Sequence, residues 1–315
     1  MKEQIFDTQT TNALILAAPG REHPLEVRLT APVTGTELPL ILFAHGFGSS
    51  AYGYDPLVNY WAARGFLVIQ PTFLDSKTLL GIPDASHQDA INAYLANPTS
   101  SFIWRQRVTD VKLVLDQLDA IEKATTGIEG RFDRNQVFAA GHSFGAHTVG
   151  LLLGSRVNGL DGALGENLRD ERIKAGVLLS AGGRGGDALS EFAKKHFTYL
   201  DQTFDELLTP TFVVAGDNDH SPLTVLGPEW FTEAYYLSPG ADALLTLTDG
   251  EHMLGGITGY GAQETTDENP ERVGLVQKMS YAYFMSKLHP EDTFWRDAIK
   301  ALSEDSDKLG KIEEK

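Results

Sequence analysis

Apolar residues fall along this chain in short unbroken runs separated by stretches of helical spacing. Leu38-Pro39-Leu40-Ile41-Leu42-Phe43-Ala44 is a continuous run of strand length, the pattern of a strand covered on both faces of a parallel sheet. Phe66-Leu67-Val68-Ile69-Gln70-Pro71 repeats it and is stopped by proline. Further runs stand at Val137-Phe138-Ala139-Ala140, at Ala175-Gly176-Val177-Leu178-Leu179-Ser180, at Pro210-Thr211-Phe212-Val213-Val214-Ala215 and at 244–248. Between them the spacing turns helical: Leu57, Val58 and Trp61 within 54–64, then Trp104, Val108, Val111, Leu115 and Leu118, a small-residue run over 146–154, and finally Val273, Val276, Met279 and Tyr283. Residues 14–17 and 25–30, joined through Pro19-Gly20, predict an opening antiparallel pair. The alternation predicts an α/β protein, with a mostly parallel central sheet and helices on both faces.

Three segments break the rhythm. From 72 to 101 the periodicity fades, which predicts short helices or a rim around a site. Residues 187–208 form a polar, helix-leaning insertion carrying Phe192, Phe197, Tyr199 and Phe204, and with the glycine-rich 255–259 it is a candidate lid. Residues 291–315 read as a charged tail, helical near 294–302 and frayed at its end. No repeat or composition break divides the rest, so 1–290 are expected to form a single domain.

Composition narrows the function classes. Over 315 residues, 42% apolar and 22% charged describe a folded domain with room for a large core. A net charge of −17 disfavours nucleic acid and anionic membranes as partners, and no apolar stretch approaches the length of a membrane span. The absence of cysteine removes disulfides, thiolate metal sites and a cysteine nucleophile together. Met1-Lys2-Glu3-Gln4-Ile5-Phe6-Asp7 has no signal-peptide pattern, and a cytoplasmic location is the default expectation.

The chemistry collects at strand ends, where α/β sheets gather reactive groups. The run at 137–140 leads into Gly141-His142-Ser143-Phe144-Gly145 and then a helical stretch, the strand-turn-helix order of a nucleophile elbow. Gly141 and Gly145 allow strand and helix to approach around a strained serine, whose Oγ is exposed at a helix N-terminus. A serine needs an adjacent base, and imidazole suits that role near neutral pH. Asp217 and Asp219 follow one later strand and His252 follows the last; His45-Gly46-Phe47 follows an early one. Either aspartate would serve to orient an imidazole, with Asp187 and Asp249 as more distant alternatives. His142 and His147 flank the serine but are not aimed back at it, and they read as structural.

In the order Ser, Asp, His, the chain resembles the α/β-hydrolase family over roughly residues 10–290. His45-Gly46-Phe47-Gly48, the helix from Arg107-Val108-Thr109-Asp110 to Asp116, and Gly141-His142-Ser143-Phe144-Gly145 are most similar to the dienelactone-hydrolase and platelet-activating-factor-acetylhydrolase group of esterases. The resemblance implies Ser143 as nucleophile, His252 as base and, through the pattern Gly216-Asp217-Asn218-Asp219, Asp219 as the acid. It also implies an oxyanion hole made by the backbone N–H groups of Phe47 and Phe144. Dienelactone hydrolases proper use cysteine, which this chain lacks, so the expectation is a serine carboxylesterase with a small-molecule ester substrate. Non-hydrolytic work by the same triad, such as acyl transfer or perhydrolysis, and a non-catalytic binding protein are the alternatives.

Tyr52, Tyr54, Phe73, Trp104, Phe144 and Trp230 lie on or near segments expected to rim the site and suit an apolar acyl or aryl group. Gly46-x-Gly48-x-x-Ala51 formally fits a dinucleotide fingerprint, but Gln70-Pro71 stands where a ribose-binding acid belongs. No His-Glu-x-x-His, Walker loop or EF-hand spacing occurs, so neither metal nor cofactor is implied.

Overall fold

The structure is a computed structural model and describes residues 4–97, 99–159, 162–305 and 308–315. Met1 to Glu3 of the opening, Pro98 of the aperiodic stretch and 306–307 of the tail therefore lie outside the described residues.

In chain order the strands are β1 (Thr8–Leu16), β2 (Leu25–Pro32), β3 (Leu38–Ala44), β4 (Leu67–Pro71), β5 (Phe132–His142), β6 (Arg156–Val157), β7 (Ile173–Leu179), β8 (Gln202–Thr203), β9 (Thr211–Gly216), β10 (Ala241–Leu247) and β11 (Gly310–Glu314). The helices are α1 (Asp55–Ala62), α2 (His87–Ala96), α3 (Ile103–Asp116), α4 (Leu118–Ala124), α5 (Phe144–Leu153), α6 (Glu191–His196), α7 (Glu233–Leu237), α8 (Pro270–Leu288) and α9 (Phe294–Glu304). Nine strands form one sheet in the order β1-β2-β4-β3-β5-β7-β9-β10-β11. From β4 to β10 every pairing is parallel, while β2 pairs antiparallel with both β1 and β4 at one edge and β11 pairs antiparallel with β10 at the other.

Strand pleating distributes the predicted apolar runs between two cores. On β3, Leu40, Leu42 and Ala44 face one core, while Ile41 and Phe43 face the other. On β5, Val137 and Ala139 oppose Phe138 and Ala140 in the same way. Helices α3, α4 and α5 cover the first face; α1, α8 and α9 cover the second, with Trp61, Met279, Tyr283 and Phe284 fully buried there. Every residue of α5 is buried, which is why its sequence shows no polar face.

Two expectations change. The stripe from Trp104 to Leu118 is two helices rather than one, because the chain leaves helical geometry at Gln117. The Gln117 side chain there exchanges hydrogen bonds with the backbone of Ala17, donating at 2.8 Å and accepting at 3.2 Å, so the break ties α3 to the end of β1. The end of the chain is not frayed. It forms β11, paired with β10 from Gly310↔Leu247 to Glu314↔Ala243. Trp295 of α9 meets Phe212 and Tyr283 edge-on at 5.3 and 5.5 Å. The expected signal is absent because β11 is Gly-Lys-Ile-Glu-Glu, an exposed edge whose polar residues face water.

Truncation after Asp305 removes five paired residues and is expected to cost on the order of 3 kcal/mol, at about 1 kcal/mol for each net backbone hydrogen bond in part of the ladder. Urea unfolding of the truncated and full chains measures it, and an unchanged midpoint would mean that β11 adds nothing to the fold.

Candidate functional site

The site stands at the carboxyl ends of β3, β5, β9 and β10. Ser143 occupies the turn between β5 and α5 with φ 55° and ψ −117°, a conformation forced on a residue that has a Cβ. Close approach explains the glycines on either side. A Cβ on Gly145 would lie 1.9 Å from the carbonyl oxygen of Ala44, and one on Gly141 would lie 2.3 Å from that of Gly145.

Ser143 Oγ is 2.8 Å from His252 Nε2 and donates to it. On the other side of the ring, Nδ1 donates to Asp219, 2.9 Å from Oδ2 and 3.1 Å from Oδ1. The Asp219 side chain is fully buried and that of His252 is about one-third exposed. Between the two aspartates left open by the sequence, the geometry distinguishes clearly: Asp217 Oδ1 accepts from the Asp249 amide at 2.7 Å, away from the imidazole. A chain of this kind can take a proton from the serine and return it to a leaving group.

The loop after β3 is held amide by amide. Gly46 N–H donates to Tyr54 Oη at 2.9 Å and Gly48 N–H donates to Asp75 at 3.2 Å. Between them, the Phe47 N–H has no acceptor among the described residues, and neither has the Phe144 N–H at the start of α5. Beneath this loop lies a buried ion pair. Arg107 donates to Asp75 through Nε at 2.8 Å and Nη2 at 2.7 Å, and its Nη1 donates to the carbonyl of His45 at 2.8 Å. Burial opposes charge on Asp75, but the Arg107 guanidinium and the bonds it donates outweigh that cost and hold the carboxyl below its usual range. His45 is fixed as a neutral ring: Nδ1 donates to the Gly46 carbonyl at 2.7 Å and Nε2 accepts from the Phe73 amide at 3.1 Å.

A cavity of about 410 Å³ opens onto Ser143 and His252. Phe47, Phe144, Ile91, Phe197, Tyr199 and Leu200 give it an apolar wall. The two irregular segments supply much of it, Lys77, His87 and Ile91 from the stretch 72–101 and Phe192 to Gln202 from the insertion. The insertion is pinned at its end by the short antiparallel pair β6–β8. Of the aromatic residues expected at the rim, Phe144, Trp230 and Tyr54 line the cavity. Tyr52, Phe73 and Trp104 do not. Tyr52 is half exposed and donates to Glu26 at 2.5 Å; Phe73 is buried against His45; Trp104 packs behind His147. Their side chains are engaged elsewhere, so proximity along the chain to segments that rim the cavity does not bring these three into it. Sequence reasoning missed Ser180, Asp75 and the part played by Tyr54, since no motif or spacing marks residues whose bonds support a loop from beneath.

Alongside this geometry, the chain matches the model of the alpha/beta hydrolase family over residues 41–260, more than half its length, and it belongs to that family. Membership suggests hydrolase activity. No curated protein matches the sequence. Among the described residues no helix is long and apolar enough to cross a membrane.

Three buried histidines near the site give the fold a pH dependence. Burial holds His45 and His142 down at about 3 and His147 at about 4, against 6.5 when exposed. Below pH 6.5 the unfolded chain binds protons that the folded chain refuses, so stability is full above that pH and falls as the pH drops towards 4. The slope approaches about 1.4 kcal/mol per pH unit for each histidine. Urea midpoints at pH 7 and pH 5 should differ, the lower at pH 5, and equal midpoints would contradict the neutral buried rings.

Proposed function

We propose that the protein is a serine hydrolase that cleaves carboxylic esters through Ser143, His252 and Asp219. The observation that carries this reading is the Ser143–His252–Asp219 hydrogen-bonded chain, opening into an apolar cavity beside two unengaged backbone amides. In the first half-reaction Ser143 Oγ attacks the ester carbonyl carbon while His252 Nε2 takes its proton. Negative charge builds on the carbonyl oxygen, which accepts from the Phe47 and Phe144 N–H groups. Collapse of that intermediate breaks the bond to the alkoxy oxygen, and His252 returns the proton so that an alcohol departs. Water then repeats the sequence on the acyl-serine, releasing the acid and restoring Ser143. Asp219 keeps the imidazole in the Nδ1–H tautomer and stabilises its cation at each transfer.

The cavity argues for an apolar substrate group. Its volume lies at the small end of the usual range for ligand sites, suited to an aryl or medium acyl group rather than a long lipid chain. Within the family we place the chain beside the dienelactone-hydrolase and platelet-activating-factor-acetylhydrolase esterases, on the motifs around His45, Arg107 and Ser143. The same reading treats the chain as one catalytic domain that runs to β11, since α9 and β11 complete its core and sheet.

A p-nitrophenyl ester series from acetyl to long-chain acyl tests the proposal. A burst of p-nitrophenol, with an optimum short of the longest chains, is expected of the native protein. Ser143→Ala should lose turnover by several orders of magnitude, and Asp219→Asn by about 10⁴-fold. Inertness on every ester, or undiminished turnover by Ser143→Ala, would refute the assignment.

A further inference from the structure

His142 precedes the nucleophile yet makes no bond to it. Its Nε2 lies 2.8 Å from the carbonyl oxygen of His252, and its Nδ1 lies 2.9 Å from Tyr54 Oη. A carbonyl only accepts, so Nε2 carries the ring's proton. The ring is fully buried and stays neutral, so Nδ1 is an acceptor and the Tyr54 hydroxyl donates to it. That leaves the lone pairs of Tyr54 Oη for the Gly46 N–H, 2.9 Å away. Every proton in the sequence Gly46 N–H to Tyr54 O–H to His142 to the His252 carbonyl is thereby assigned. A second donor, Ser180 Oγ, reaches the same carbonyl at 3.0 Å from the end of β7.

We propose that Tyr54 and His142 are positioning residues that clamp the loop of His252 and the loop of Phe47 to the strand carrying Ser143, while Ser180 ties the His252 loop to the end of the neighbouring strand β7. This rests on the ester-hydrolase reading of the site. The need for such a clamp follows from the topology. His252 and Phe47 both sit in irregular loops, one after β10 and the other after β3, with three strands between those two in the sheet. Neither loop has a ladder of its own to fix it. His142 is the last residue of β5, between them and directly before Ser143, and its bonds lead to both loops, to the His252 carbonyl directly and to Gly46 through Tyr54. The Tyr54 link also engages the Gly46 N–H, so that Phe47 presents the unengaged amide on that loop. Small displacements at reacting centres cost large factors in rate, which is why bonds that only hold the two loops in place matter here.

Tyr54→Phe, His142→Gln and His142→Leu test the clamp, each assayed on the best p-nitrophenyl ester with kcat and KM separated. Glutamine can donate to the His252 carbonyl and accept from Tyr54; leucine can do neither. The expected result is a fall of kcat by about 10- to 100-fold in Tyr54→Phe and His142→Leu, with KM within about 2-fold, and recovery of most of kcat in His142→Gln. Tyr54→Phe preserves volume and serves if the leucine variant does not fold. Native kcat in Tyr54→Phe or His142→Leu, or an equal loss in the glutamine and leucine variants, would overturn the clamp. Inactivity of the native protein on every ester would overturn the hydrolase reading instead, so the two failures are distinguishable.

Discussion

The whole site depends on the close contact of two backbones. α5 starts so near the end of β3 that a single carbon on Gly145 would fall 1.9 Å from the Ala44 carbonyl oxygen. That contact sets Ser143 in its strained turn, leaves the first amide of α5 unengaged, and brings the amide of Phe47 within the same pocket as that of Phe144. Strain of this kind persists only where the surroundings over-determine it. Here the surroundings are the fully buried α5 and the parallel neighbours of β5 on both sides. Substituting Gly145 would therefore move Ser143 and the Phe144 amide beside it together.

Charged and polar groups below the surface serve the same geometry. A buried Arg107–Asp75 pair is weak evidence for stability as such, since desolvation cancels much of the attraction. Its bonds lead elsewhere, to the carbonyl of His45 and the amide of Gly48, so the pair acts as a rigid buttress under the loop that carries Phe47. The three buried histidines work as neutral connectors, each joined to a backbone carbonyl through one nitrogen. Asp267 does similar work for the loop of His252, accepting from the amides of Glu251 and Gly255 on either side of that residue while paired with Arg272.

Much of this was legible in the sequence, for identifiable reasons. Parallel strands buried on both faces read as unbroken apolar runs, and 38–44 matches β3 residue for residue. The elbow was legible because its glycines are demanded by contacts that admit nothing larger. Ser143, Asp219 and His252 were legible as ends of strands whose order in the chain the family motif records. Outside those rules the reading faltered. β11 has no apolar run because only its pairing makes it a strand. Tyr52, Phe73 and Trp104 sit on the expected segments but turn elsewhere, since proximity in sequence does not fix a side chain's direction. Tyr54, His142 and Ser180 bond to one another or to backbone, and such contacts leave no periodicity or spacing to find.

The central claim, that His252 activates Ser143 as a nucleophile, is tested most directly by covalent labelling with a fluorophosphonate followed by peptide mass spectrometry. The account predicts one adduct per chain, located on Ser143, with labelling slowed by orders of magnitude when His252 is replaced by alanine. An unlabelled native protein, an adduct on another residue, or equal labelling of the His252→Ala variant would contradict it.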